Sequence, residues 1–435
     1  MKRILNISLL LLLATISSIK SQTVVLDGEI RPRVEYRDGY STPLTSSADP
    51  GISTQQRTRL SFAYNSGVLN TLVTLQDARV FGQNSTSSST ATVGIYEAWA
   101  DVLLAPGLSF KIGRQGIKYD DARLFSAPAW SNTGTAHDMA LLKYNINDLQ
   151  IHLATAYNNK SAISSEAFYT PGTDGAKYRM MNFLWLTNPV TDYLSLSALL
   201  VDEALQDTVG IGSAYKKTGY NHALTFGGNL KFQKEKFPLS ALATAYFQSG
   251  KNYQGKDMTG KLLALKLDYK LTENYGLSLG TDYLSGDNNG TTDGTQSNFK
   301  KLYGADHTFN GYMDYWNTPL DQGLLDYYAT ATAKVGKALN LEAGYHLFNS
   351  EYSGTKTINK VKESFGKDLG SELDLLVTYK INSTATVQGG YCFYFDTKNT
   401  LVAKGISASA DIRNPQWAYV MFTFKPTFLN TATAK

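Results

Sequence analysis

The chain has a single cysteine, Cys392, among 435 residues. That excludes an internal disulfide framework and any metal cluster built on several thiolates. It also leaves no N-terminal thiol to carry a lipid, which argues against a lipoprotein. Long apolar runs are equally scarce. The one such run, Ile4–Ile19, follows the cationic start Met1-Lys2-Arg3 and ends among the small residues Ser17, Ser18 and Ser21. This is the pattern of a secretory signal peptide, with cleavage expected before Gln22. It is shorter than the about 20 residues a spanning helix needs, and no later run is long enough, so helical membrane spans are excluded. A surplus of one charge is missing as well. The formal charge is +4, and removal of Lys2, Arg3 and Lys20 takes it to +1. A near-neutral mature chain gives no basis for a nucleic-acid partner, and any selectivity must come from where its charges sit. Histidine is sparse, with 5 residues in all. None stands in a hydrolase or metal-binding motif, so no catalytic residue, metal or cofactor is expected. His137 beside Asp138 reads as a structural hydrogen-bonding pair.

What the chain has instead is a pattern. From Val24 to Phe428, segments of about ten residues alternate apolar and polar side chains. In Asp27–Arg37 one parity is Asp27, Glu29, Arg31, Arg33, Glu35 and Arg37, and the other is Gly28, Ile30, Pro32, Val34 and Tyr36. Strand side chains have period two, so these sets face opposite sides. A strand charged on one face and apolar on the other suits a wall between water and lipid. The prediction is an all-β fold, a transmembrane antiparallel β-barrel. The 28 Tyr and 19 Phe supply the aromatic girdles such a barrel carries at its interfaces.

About 18 such segments run from 24–37 to 415–428. Short connections such as Asn65-Ser66-Gly67, Ala105-Pro106-Gly107 and Lys380-Ile381-Asn382-Ser383 read as periplasmic turns. Long ones, at 38–53, 81–92, 118–135, 159–175, 286–324, 350–369 and 397–414, read as outer loops. With both termini in the periplasm the count is even, so a further candidate, Thr208–Lys217, is read as loop; about 16 and about 20 are the neighbouring counts. The organisation is a leader, 1–21, followed by one barrel domain, 22–435.

Several stretches together resemble the alginate export family of outer-membrane barrels, especially its Bacteroidetes-type members. They are Gly113-Arg114-Gln115 with Tyr119-Asp120 and Arg123, then His137-Asp138, Phe309–Asp314, Gly323–Tyr327 and Leu369–Leu375, and the ending Trp417-Ala418-Tyr419 to Lys425–Phe428. The resemblance implies a barrel of about 18 strands in the outer membrane of a Gram-negative bacterium. It also implies a charged lumen, which in the best-understood members carries a polyanionic uronate polysaccharide outward. Fold does not fix cargo, so the lining residues have to be weighed themselves.

In the second strand Gln55, Arg57, Arg59 and Ser61 share a face. With the first strand this puts Arg31, Arg33, Arg37, Arg57 and Arg59 on one side of the wall, about 5 Å between neighbouring strands. Bare guanidiniums that close repel, so Glu29 and Glu35 are expected between them. Such a row reads either as a ladder of carboxylate sites or as a salt-bridged wall. Glu97, Asp101, Asp268, Asp282, Asp326, Glu342, Glu372 and Asp374 also fall on polar parities, which weighs against strong anion preference. Lys111 faces away from Phe110 and Ile112. Arg114 falls on the lipid face by strict alternation, and a bulge at Gly113 is expected to turn it inward. The loop 118–135, with Tyr119, Asp120, Asp121, Arg123 and Trp130, is long enough to fold inward and narrow a pore, or it packs on the rim. The segment 286–324 reads as a solvated outer loop; Asp287, Asn288, Asn289, Asp293 and Gly294 have the spacing of a calcium loop but lack its closing acid. The functional expectation is a passive channel in contact with outer-membrane lipid, passing an acidic saccharide or another anionic solute. A general porin and an adhesion barrel are the alternatives.

Overall fold

The structure, a computed structural model, describes residues 22–83, 92–127, 130–159, 178–206, 219–288 and 294–432. The leader 1–21 and the candidate segment Thr208–Lys217 lie outside the described residues. Eighteen strands form the wall: β1 (Thr23–Asp38), β2 (Gly51–Asn65), β3 (Leu69–Val80), β4 (Gly94–Ala105), β5 (Leu108–Gln115) and β6 (His137–Ile146). Next come β7 (Leu149–Tyr157), β8 (Met180–Thr191), β9 (Leu194–Gln206), β10 (Tyr220–Gln233), β11 (Leu239–Gly250) and β12 (Lys261–Lys270). The wall ends with β13 (Tyr275–Leu284), β14 (Leu324–Val335), β15 (Leu339–Asn349), β16 (Asp368–Lys380), β17 (Ala385–Phe395) and β18 (Gln416–Phe424). Each strand pairs antiparallel with its neighbours in chain order, and β18 pairs with β1, Met421 opposite Arg33. Beyond Pro426 the last stave resumes as Thr427–Asn430, with Asn430 opposite Val25. The chain is therefore part of the wall up to Asn430. Closure leaves no strand edge unpaired, which a sheet in hydrocarbon requires. β9 and β10 pair directly, Gln206 with Tyr220, so no stave lies between them.

The alternation explains the two faces. Ile30, Val34, Leu60, Phe62, Leu142, Leu153, Leu265 and Leu279 are exposed on the outside, as a lipid-facing surface demands. The opposite parity turns inward and is buried. The apolar core is thus inside the barrel, where Phe125, Met181, Phe183, Met313, Tyr315, Trp316, Phe348 and Trp417 are fully or almost fully buried. Two long connections supply much of it. The segment between β5 and β6 and the segment between β13 and β14 run side by side. Their backbones are bonded from Tyr303 N–H to Leu124 O (2.8 Å), Ser126 N–H to Tyr303 O (2.9 Å) and Ala305 N–H to Ala122 O (2.9 Å).

The second of these segments corrects the expectation of a solvated outer loop. Phe299, Leu302, Met313, Tyr315 and Trp316 are buried. Burying one such side chain gains about 1.5–3 kcal/mol, enough to hold the segment inside. The outer connections also carry structure of their own. Gly354–Ile358 and Val361–Phe365 form a hairpin whose turn residues Asn359 and Lys360 have φ of 49° and 69°. The helix α1 (Lys398–Ala403) starts at Thr397, whose hydroxyl accepts from Thr400 N–H while the Thr400 hydroxyl accepts from Thr397 N–H. That reciprocal cap satisfies two otherwise unpaired donors.

Candidate functional site

β1 and β2 run through the middle of the wall in register, with Arg31 opposite Arg57 and Glu29 opposite Arg59. The guanidiniums that alternation stacks here are answered by carboxylates. Arg57 Nε meets Glu29 at 2.6 Å, Arg33 Nε meets Glu35 at 2.7 Å and Arg37 meets the other oxygen of Glu35 at 2.6 Å. Their remaining donors point at the inserted segment after β5. Arg31 Nη2 donates to Trp130 O (2.9 Å), Ser131 O (3.1 Å) and Asn132 Oδ1 (2.8 Å). Arg33 Nη1 donates to Trp130 O (3.0 Å) and Arg57 Nη1 to Ser131 O (2.8 Å). Arg33 also lies over the Trp130 ring, 4.0 Å from its centroid. Further along, Arg59 donates to Gln76 (2.8 Å) and covers Tyr96 (3.7 Å). It lines a cavity of about 370 Å³ with Glu29, Glu97 and Lys425. The neck of the barrel is thus a cluster of arginines gripping backbone oxygens.

The wall from β12 to β16 has the opposite sign. Asp282 and Asp326 face each other across β13 and β14, and Glu342, Glu372 and Asp374 follow on β15 and β16. Arg123, from the inserted segment, reaches across to Asp282 with two bonds of 2.5 and 2.8 Å and to Asp121 at 2.7 Å. Backbone N–H groups do the rest. Met313 N–H donates to Glu372 (2.6 Å) and Tyr312 N–H to Asp374 (3.4 Å). Gly311, at φ +82°, is needed for this approach, because a Cβ there would lie 2.6 Å from the Glu372 carboxylate. His346 shares a hydrogen bond with Asp326 (2.9 Å). Trp130 and His307 stack at 4.1 Å and join the two inserted segments between the walls.

Below the neck a cavity of about 680 Å³ runs to the periplasmic turn Thr272–Asn274. It is lined by Asp121, Asp268, Glu342 and Asp374, by Lys266 and Lys334, and by the rings of His307, Phe309, Tyr312 and Tyr328.

Among the residues singled out from sequence, Arg31, Arg33, Arg57 and Arg59 come together at the neck, with Arg37 at the outer end of β1. Lys111 faces inward, 3.8 Å over the Trp99 ring. Glu97 accepts from Gly116 N–H (2.8 Å), and Asp120 from Trp185 Nε1 (3.1 Å) and Tyr246 (3.3 Å); both tether the inserted segment. Asp326, Glu372 and Asp374 form the acidic wall with Arg123.

Arg114 departs from expectation. Gly113 has φ +123°, yet the β4–β5 register runs through it, Trp99 opposite Gly113 and Ala98 opposite Arg114. Parity is not reset, and Arg114 stays on the outer face near the strand end. Asp138 shares that face and pairs with it at 3.0 Å. The expected His137–Asp138 pair fails for the same reason. Consecutive strand residues point oppositely, and His137 turns inward to Tyr178 (2.9 Å). Gly311, Tyr312 and Met313 lie in the stretch Phe309–Asp314 that carries part of the family resemblance, but their role as the cap of the acidic wall comes from the structure alone.

Burial alone would lower the Arg123 side chain, but Asp282 and Asp121 outweigh it and hold its pKa above the usual arginine value. Beyond β17, burial pushes Asp396 up to about 7 and Lys404 down to about 8. Both oxygens of Asp396 are buried without a hydrogen-bond partner.

The profile of the alginate export family matches residues 23–412. No curated relative matches the sequence. Among solved structures, the chain is similar to three proteins of Pseudomonas aeruginosa. OpdO superposes with a TM-score of 0.62 at 13% identity, covering 93% of this chain and 98% of that one. OccK11 (OpdR) gives 0.61 at 11% identity, covering 93% and 96%. OpdK, solved with vanillate, gives 0.61 at 11% identity, covering 93% and 99%. At these identities the likeness is one of fold. A closed antiparallel barrel of this build sits in the Gram-negative outer membrane and passes solutes, and with the profile spanning most of its length this chain belongs to the alginate export family.

Proposed function

We propose that the barrel is a channel for acidic poly- or oligosaccharides, guided through the neck by Arg31, Arg33, Arg57 and Arg59, with Arg37 at its outer end. The observation that carries this reading is the convergence of three guanidiniums on the oxygens of Trp130, Ser131 and Asn132. A carboxylate is a stronger acceptor than a peptide carbonyl and matches the guanidinium fork with two parallel bonds. A uronate chain brings one carboxylate per ring, so it competes for these donors and moves from one to the next as the segment yields. Transport rather than catalysis is supported by the match to the alginate export family over residues 23–412.

A channel without anion preference is the second reading, favoured by the carboxylates of the lower cavity. The reversal potential across a bilayer in a potassium chloride gradient separates the two. Chloride preference that disappears in the Arg57→Ala, Arg59→Ala double variant is the expected result. A wild-type channel indifferent to the sign of the ion supports the second reading instead.

A further inference from the structure

The outer wall carries polar side chains that neither channel reading uses. Thr155, Asn182 and Asp202 stand in register on β7, β8 and β9, on the face that presents Leu153, Leu184 and Leu200 to the outside. The Thr155 hydroxyl donates to Asn182 (2.8 Å). On one flank Asp138 of β6 pairs with Arg114 of β5 (3.0 Å), and on the other His222 of β10 shares a hydrogen bond with Asp202 (2.9 Å). The patch spans six consecutive strands. Its members are exposed or half-exposed on a wall that otherwise offers apolar side chains.

The height of the patch sets it apart. On β8 the outward side chains between Asn182 and Asn188 are Leu184 and Leu186. A stretch of that length rises about 15 Å, at about 3.3 Å per residue and a tilt of about 40°. β7 has the same short reach, from Leu149 to Thr155. On β14 the outward row is Leu325, Tyr327, Ala329, Ala331, Ala333 and Val335, apolar over about 25 Å. The apolar band of an outer-membrane barrel is about 25 Å tall. β14 fills that band, whereas β7 and β8 fill little more than half of it. A hydroxyl, an amide and a carboxylate then face hydrocarbon unless something polar covers them, and that is costly. The pair of Arg79 with Asp77 on β3 is a different case, because Arg79 is next to the outer end of its strand, at the rim.

We infer that a second copy of the chain docks on this patch, across a two-fold axis that runs along the membrane normal through β7. Two copies inserted in the same direction carry their polar patches at the same height, so polar meets polar and apolar meets apolar. A partner of another build has no such constraint. The axis sets Thr155 against Thr155 of the partner subunit, Asp138 against Asn182 of the partner subunit, and Arg114 against Asp202 of the partner subunit. Each is a complementary pairing: two hydroxyls, a carboxylate with an amide donor, and a guanidinium with a carboxylate. An axis between β7 and β8 would set Asp138 against Asp202 of the partner subunit, two like charges. The contact is isologous, as in most dimers. Arg114 stands two strands from the axis, at the edge of the contact, where a charge pair contributes little. The inference does not depend on the cargo proposed for the neck.

The test is a cross-link in the full barrel, reconstituted in phospholipid vesicles. Thr155→Cys puts a thiol at the axis, while the native Cys392 is buried. Mild oxidation should join two Thr155→Cys chains by a disulfide, seen as a doubled mass on a denaturing gel. Ala331→Cys, on the outward face of β14, should stay single. Adding Asn182→Leu to Thr155→Cys removes a donor on both sides of the axis. It should raise the protein density needed for half-maximal cross-linking about tenfold. Heat-dependent gel mobility checks that each variant is a folded barrel. Thr155→Cys chains that stay single, equal cross-linking at Thr155→Cys and Ala331→Cys, or a density that Asn182→Leu leaves unchanged overturns the assignment. In native outer membranes, a disulfide from Thr155→Cys to a different protein overturns the choice of a second copy.

Discussion

The arginine wall of β1 and β2 and the acidic wall of β12 to β16 arise from the same strand alternation, yet they are satisfied in opposite ways. The arginines meet oxygens, partly Glu29 and Glu35 and partly the carbonyls of Trp130 and Ser131. The carboxylates meet donors, partly Arg123 and partly the N–H groups of Tyr312 and Met313. The inserted segments thus offer each wall the end of the peptide dipole that suits its charge. A peptide backbone has both a donor and an acceptor on every residue, so it can line a lumen of either sign. The difference lies in what remains. On the arginine side Nη2 of Arg59 is left without a hydrogen-bond partner, and on the acidic side one oxygen each of Glu372 and Asp374 is.

The acidic wall depends most heavily on Arg123. Arg123→Ala leaves Asp282 and Asp121 buried without their cation, and removing one partner of such a group costs about 3–5 kcal/mol. Hydrogen exchange at the amides of Ser126, Tyr303 and Ala305 should accelerate accordingly, since their bonds join the two inserted segments. A smaller loss is expected on the other side. Arg31→Ala with Arg57→Ala removes four bonds to the loop and should free residues 130–132 by about 2–4 kcal/mol. Single-channel conductance should rise as the neck opens. Unchanged conductance would mean that this segment does not limit flow.

Acidity sharpens the comparison at the outer end. Packed, Asp396 keeps its proton to about pH 7, against an ordinary value of 3.8. Loosening of the segment therefore releases a proton between those values, and the packing of α1 weakens as pH rises across them. Protection of the Leu401 amide, relative to its intrinsic exchange rate, should fall over that window in the wild type and stay level in Asp396→Asn. The smallest effect is expected at Arg114. Its pair with Asp138 is exposed on the outer face, and Arg114→Leu should cost under about 1 kcal/mol. Ion selectivity should not move; a shift would return Arg114 to the lumen.

Strand parity is legible because it is local. The charged set of Asp27–Arg37 points inward, and the repulsion argument that calls for Glu29 and Glu35 beside the arginines matches the observed pairs. The inserted segments are not legible in the same way. Their residues follow no period, and where they pack depends on what a distant wall offers, as Met313 on Glu372 shows. Arg114 escapes the sequence argument because a glycine at positive φ need not shift the register, and the ladder absorbs Gly113 without a bulge. The hairpin of 354–365 does leave a trace. Asn359-Lys360 sits between alternating segments, the chemistry of a two-residue turn with both φ positive.

Block of the open channel by an oligouronate, set beside a neutral oligosaccharide of equal length, tests the arginine neck most directly. The oligouronate should interrupt the wild-type current, the neutral chain should not, and Arg57→Ala with Arg59→Ala should remove the block. A channel that both chains enter alike, with or without those arginines, would contradict it.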